Sequence, residues 1–162
     1  IFPEPQAFSP SNVLVKVPGL TGGGKMSKSA GEADNIYLDE PADTLKKKIM
    51  RAVSDSGPTE PGAPKSAAVQ NLFDLMSLVC KPDAIAFFDE EHKKGSIRYG
   101  DLKKQLAEDM ETFVAPLRDA INHTLANDKQ LDDIAAFGAE KARKSAKKTM
   151  DAVRDAIGFK PK

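Results

Sequence analysis

A single cysteine in 162 residues leaves nothing from which to build an internal disulfide framework, and it fits a chain kept in reducing surroundings. Net charge is absent too. Lys+Arg 24 against Asp+Glu 24 sum to +0, so bulk electrostatics make no case for nucleic acid, and any basic face must come from local segregation. No apolar run approaches the roughly 20 residues that cross a bilayer, which argues against a membrane span. The only histidines, His92 and His123, are solitary, and no second Cys or His stands at ligand spacing from Cys80, so no metal site is expected. Internal repeats and low-complexity tracts are missing, as is a basic-then-apolar leader. The opening IFPEPQAF also lacks an initiator Met and reads as the middle of a longer chain. What remains is 40% hydrophobic and 30% charged, the balance of a globular protein with a core.

Up to Asp39 the chain is rich in Pro and Gly and holds two short β-type runs. Val13, Val15 and Val17 alternate with Leu14 and Lys16 before Pro18-Gly19, and Ile36-Tyr37-Leu38 is a second candidate strand. Between them lies a loop containing three successive glycines, which are entropically costly to order and predict mobility without a ligand. Beyond Pro41 the pattern turns helical. Leu45, Ile49 and Val53 recur every fourth residue, with a stop at Gly57-Pro58. A second helix places Val69, Leu72, Phe73, Met76, Val79 and Cys80 on one face, and Pro82 opens a third with Ile85 and Phe88 inward. The longest begins with Asp101 as cap, and its stripe is Leu102, Leu106, Met110, Phe113, Leu117 and Ile121, with a kink expected at Pro116. A short helix or turn over 128–135 and a last helix through Ala142, Ala146, Met150, Val153 and Ile157 complete the chain.

Chemistry concentrates in Lys25-Met26-Ser27-Lys28-Ser29. Two lysines three positions apart, with hydroxyls beside them on a glycine-rich loop, suit a polyphosphate, because ammonium groups neutralise its oxygens and free backbone N–H groups add donors. A solvated surface loop has the same composition. A P-loop is a third reading: Gly19, Gly24 and Lys25 have the G-x-x-x-x-G-K spacing, but Met26 stands where a Ser or Thr must hold magnesium, and no apolar helix follows at once.

Letter for letter, residues 25–29 match the KMSKS signature of class I aminoacyl-tRNA synthetases, and the flanks narrow the resemblance. Pro3-Glu-Pro-Gln6, Val17-Pro-Gly-Leu20, Leu38-Asp-Glu-Pro41, Lys47-Lys48-Ile49 and Ala52-Val53-Ser54-Asp55-Ser56 resemble tryptophanyl-tRNA synthetases in order. So do Tyr99-Gly100 before Leu102-Lys103, and the closing Gly138-Ala-Glu-Lys-Ala-Arg143 and Val153-Arg-Asp-Ala-Ile-Gly158.

The resemblance implies a mainly α chain: a β/loop remnant of a Rossmann-type catalytic domain over 1–40, then a helical anticodon-binding bundle over 41–162. It implies ATP with Mg2+ as substrate, no tightly bound cofactor, and tryptophan and tRNA(Trp) as partners in a cytoplasmic homodimer. Lys25 and Lys28 would stabilise the departing pyrophosphate, and Val17, Lys25, Met26, Ser27, Lys28 and Ser29 would border ATP. Lys46, Lys47, Lys48 and Arg51, with Lys141, Arg143, Lys144, Lys147 and Lys148, would meet tRNA phosphates. The family's second signature, a His-x-Gly-His-type element, is nowhere in the chain, and the tryptophan pocket is expected upstream, so the chain alone is expected to be inactive. Ala30 and Gly31 also depart from what other members carry after the signature. A non-catalytic helical module that binds tRNA or protein is the alternative. Of the remaining residues, His92 and His123 read as surface, Cys80, Phe87, Phe88 and Phe113 as core, Tyr99 as packed, and Asp55 as a helix cap or an interdomain or tRNA contact.

Overall fold

A computed structural model of the chain describes residues 1–7, 16–22, 24–58 and 60–159. It is helical. After two 3-10 turns, Lys28–Ala30 and Glu32–Asp34, come α1 (Ala42–Arg51), α2 (Ala67–Val79), α3 (Pro82–Lys94), α4 (Tyr99–Leu125) and α5 (Asp128–Ala156). Two compact units emerge. The larger is Val15–Ile121, and the smaller joins Ile1–Leu14 to Asn122–Lys162.

The expected β remnant is reduced, among the described residues, to one antiparallel bridge between Pro18 and Lys25. Val13 and Val15 lie outside the described residues. The second candidate strand does not form. Instead of pairing, Tyr37 enters a turn: its N–H donates to the Glu40 carboxylate (3.2 Å) and its carbonyl accepts from the Glu40 N–H (3.4 Å).

The core of the larger unit follows the helical spacing. Leu45 and Ile49 from α1, Val69, Leu72, Phe73, Leu75 and Met76 from α2, Phe88 from α3, and Leu102, Leu106, Ala107, Met110 and Val114 from α4 bury together. Leu20, at the mouth of the glycine loop, belongs to the same cluster, so the loop is anchored in the helical core. Local signals start and stop these helices. Ser66 caps α2 by accepting from the Val69 N–H at 3.3 Å, Pro82 opens α3, and Gly95 ends it in the left-handed region at φ 76°.

Several expectations are corrected. α1 stops at Arg51, well before Gly57-Pro58, because the Val53 N–H bonds to the Leu20 carbonyl (2.9 Å) and pulls the chain out of the helix. Ala52 is buried there, whereas Val53 is exposed. α4 begins at Tyr99, ahead of the expected cap Asp101. Its buried stripe steps from Met110 to Val114, leaving Phe113 52% and Leu117 39% exposed. Phe87 is exposed beside its buried neighbour Phe88. His92 is only 3% exposed, because it sits one turn after Phe88 on the inward face of α3. The two elements expected at the end are one helix, α5, capped by the Asn127 side-chain Oδ1 accepting from the Gln130 N–H (3.1 Å). No residue of α5 is buried. Among the described residues no helix is long and apolar enough to cross a membrane.

Candidate functional site: the lysine signature loop

The loop turns where glycine permits it. Gly22 and Gly24 both hold φ 84°, a conformation that L side chains rarely adopt, and the Gly19 N–H reaches the Gly24 carbonyl at 2.9 Å. The Met26 N–H then donates to the Val17 carbonyl at 2.8 Å, placing Met26 against the core and Lys25 in solvent. The Met26 N–H and Val17 carbonyl are thus spent on each other. After Ser27 the chain winds into the first 3-10 turn, closed by the Ala30 N–H on the Ser27 carbonyl (3.0 Å), with the Ser27 and Ser29 hydroxyls 3.1 Å apart. Lys25, Lys28 and Ser29 are exposed; Val17, Met26 and Ser27 are half-buried. Lys25 also lines a cleft of about 420 Å³ with Lys16, Pro18, Gly24, Asn71 and Asp74. The arrangement offers two free ammonium groups and adjacent hydroxyls on one short turn, which is what binding an anionic polyphosphate requires.

Two residues that sequence reasoning passed over hold this turn. The Asn35 amide donates to the Ser27 carbonyl (2.8 Å) and to the Gly31 carbonyl (2.6 Å), fastening both ends of the first 3-10 turn. The buried Asp34 carboxylate accepts from the Thr21 N–H (2.8 Å) and the Thr21 hydroxyl (2.5 Å). The available signal was an Asp-Asn pair just past the signature, residue types that habitually bond back to nearby backbone.

The cations expected to meet tRNA divide. On α1, Lys46, Lys47 and Arg51 are exposed, and Lys47, Lys48 and Arg51 line a cleft of about 380 Å³ with Thr21, Glu32 and Thr44. Lys48 differs in being half-buried and already paired. Its ammonium pairs with the buried Glu40 carboxylate (2.5 Å), donates to the Asn35 carbonyl (3.1 Å) and lies 4.8 Å from the centre of the Tyr37 ring. On α5, in the smaller unit, Lys141, Arg143, Lys144, Lys147 and Lys148 are all exposed, and Lys147 pairs with Asp151 at 2.7 Å.

A second polar cluster joins the segment after α1 to α3 and α4. Lys103, buried on α4, donates to the Ser54 hydroxyl at 3.0 Å, and its burial lowers its pKa. Asp55 accepts from the Gly57 N–H at 2.9 Å, so it caps a turn. Burial pushes its carboxyl up, but hydrogen bonding from Ser66 and Gly57, the Tyr99 hydroxyl and the charge of His92 outweigh that and bring it below the usual value. Tyr99 packs against the core. Burial first, and the Asp55 carboxylate second, raise its pKa, although the buried hydroxyl makes no hydrogen bond of ordinary geometry. Burial and Asp109 push the half-buried Cys80 thiol up to about 12, which makes it a packing residue rather than a nucleophile. Among the described residues no group of three or more His, Cys, Asp or Glu side chains is placed to hold a metal.

Comparison with known proteins places the chain in a family. Residues 1–115 match the model of the class I tRNA synthetases (W and Y). The tryptophan–tRNA ligase of Porphyromonas gingivalis is 47% identical over 159 residues, covering 98% of this chain and 48% of that protein. The ligase of Mycobacterium leprae is 37% identical over 140 residues, covering 85% and 40%. Among solved structures, the Campylobacter jejuni tryptophanyl-tRNA synthetase complexed with ADP and tryptophan aligns with a TM-score of 0.73 at 31% identity, covering 91% of this chain and 45% of that one. The chain thus spans about half the length of the curated relatives it matches.

Proposed function

Because the chain belongs to the class I tRNA synthetases for tryptophan and tyrosine, we propose that it is part of a tryptophan–tRNA ligase, supplying the pyrophosphate side of the ATP site and the helices that hold tRNA(Trp). Residues 1–40 form the edge of the catalytic domain and 41–162 the tRNA-binding domain. The observation that carries the reading is the exposed Lys25/Lys28 pair on a glycine turn anchored to the core, in a chain 47% identical to a tryptophan–tRNA ligase.

The tryptophan carboxylate attacks the α-phosphorus of ATP, the bond to the bridging oxygen of the β-phosphate breaks, and pyrophosphate leaves with the bonding electrons. A hydroxyl of the terminal adenosine of tRNA then attacks the acyl carbon and displaces AMP. Negative charge grows on the β- and γ-phosphates in the first step. Lys25 and Lys28 neutralise it there, with the Ser27 and Ser29 hydroxyls as further donors and Val17 and Met26 walling the adenosine side. ATP enters with Mg2+ on its phosphates. Since Lys48 is committed to Glu40, RNA phosphates fall to Lys46, Lys47 and Arg51 on α1 and to Lys141, Arg143, Lys144, Lys147 and Lys148 on α5. The working enzyme is a cytoplasmic homodimer.

Lys28→Ala in the full-length gene product tests the reading by tryptophan-dependent ATP–pyrophosphate exchange. Removing one preorganised electrostatic contact costs about 3–4 kcal/mol of transition-state stabilisation, so kcat should fall roughly 10²- to 10³-fold with a smaller change in the KM for ATP. An unchanged kcat would show that the loop takes no part in adenylate formation and would leave this chain as a helical tRNA-binding module of the enzyme.

A further inference from the structure

Asp34 is the least exposed charged residue of the loop region, at 1%, and one of its two carboxylate oxygens does all the visible work. Oδ1 accepts both the N–H and the hydroxyl of Thr21, and the Asp34 carbonyl accepts the Leu20 N–H at 3.2 Å. The other oxygen, Oδ2, is buried without a hydrogen-bond partner and lies over Gly19, where any added Cβ would collide with the carboxylate. Three consecutive residues entering the loop are therefore fitted to one residue leaving it, Gly19 and Thr21 to its side chain and Leu20 to its carbonyl. Thr21 and Asp34 stand 13 positions apart, and every signature residue lies on the span they close.

We propose that Asp34 is a positioning residue for adenylate formation, its carboxylate clasping Thr21 to hold the signature turn in the shape that presents Lys25 and Lys28 to the leaving pyrophosphate. The inference rests on the function proposed above and adds a residue outside the signature. Its physical basis is preorganisation. Closing a span of this length costs chain entropy, and a charge-assisted bond between its ends meets that cost before substrate arrives. Without the clasp, the lysines must be ordered during the reaction, and the rate falls even though their charges remain. Asn35 fixes the 3-10 turn locally and the Leu20 N–H meets the Asp34 carbonyl, while the Asp34 side chain adds the two bonds that tie the far end of the span to Thr21.

The test uses the full-length gene product with Asp34→Ala, Asp34→Asn, Thr21→Val and Lys28→Ala, measuring kcat and KM(ATP) in pyrophosphate exchange, and tryptic cleavage after Lys25 and Lys28. Asp34→Ala should lower kcat at least tenfold with KM(ATP) changed less than threefold, and speed cleavage at least tenfold, because the span opens more often. Asp34→Asn keeps the accepting oxygen and should recover most of both losses. Thr21→Val removes one of the two donors and should shift both readouts part-way in the same direction; it carries the test if Asp34→Ala does not fold. Wild-type cleavage in Asp34→Ala, or in Thr21→Val where it stands in, overturns the clasp, and so does wild-type kcat wherever Lys28→Ala lowers kcat. Lys28→Ala separates the two claims. If it leaves kcat unchanged, the catalytic reading of the loop fails, while the cleavage rates still judge the clasp; if it lowers kcat and Asp34→Ala does not, only the clasp fails.

Discussion

Lys48→Met removes a cation whose loss the structure makes expensive. The side chains of Lys48 and Glu40 are 15% and 7% exposed, so the substitution strands a carboxylate that water barely reaches. Arg118 cannot take over. Its Nε is held by the Glu40 carbonyl (2.6 Å), and its two terminal nitrogens by the Glu111 carboxylate (2.8 and 2.7 Å). Breaking a buried pair from one side costs about 3–5 kcal/mol. The Tyr37 N–H still donates to Glu40 Oε1 and methionine refills most of the volume, which places this case near the lower end, at about 3 kcal/mol. For a unit of this size each kcal/mol moves Tm by about 4–8 °C, so thermal unfolding followed by circular dichroism should show a drop of at least about 12 °C. Pairing Lys48→Met with Glu40→Gln leaves no stranded charge, and the double variant should regain more than half of the loss. A Lys48→Met protein that melts within about 3 °C of the wild type would refute the reasoning, because the pair would then be no better than a surface ion pair.

Asp89 gives an acid limb. Hydrogen bonds from Lys65 and Lys93 hold its carboxyl at about 2, below the ordinary aspartate value, so the folded pKa is depressed. The stabilisation is present above the unfolded value and is lost as pH falls from about 4 toward 2. Acid titrations should show this loss in wild type and not in Asp89→Asn. Cys80 should resist a thiol-disulfide reagent at pH 8 and react at the free-thiol rate in urea, since its thiol is pushed up to about 12; fast labelling of the folded protein would contradict its packing.

The helices were legible wherever apolar residues repeat at one spacing. Leu45 and Ile49, the Val69 to Met76 face and the Leu102 to Met110 stripe all bury as their periodicity demands. Choosing between adjacent stripes was not possible from spacing alone. Phe113 and Val114 continue two equally good rows on α4, and the partner surface selects the smaller residue. His92 was misjudged because Glu90, Glu91 and Lys93 surround it in the chain, whereas on a helix its effective neighbour is Phe88. The signature loop was the reverse case, readable by its letters while its shape was not.

That difference has a single cause. A lysine's charge is local information, but its position is set by Asp34, Asn35 and the Gly19 turn, and the Asp34 contact closes only when the chain folds back over 13 positions. The same holds one layer further in. Asn35 passes its carbonyl to Lys48, Lys48 its charge to Glu40, and Glu40 its carbonyl to Arg118 on α4. A continuous polar path therefore runs from the signature turn to the longest helix of the core. Each link joins a residue of ordinary surface type to one that only the fold brings near.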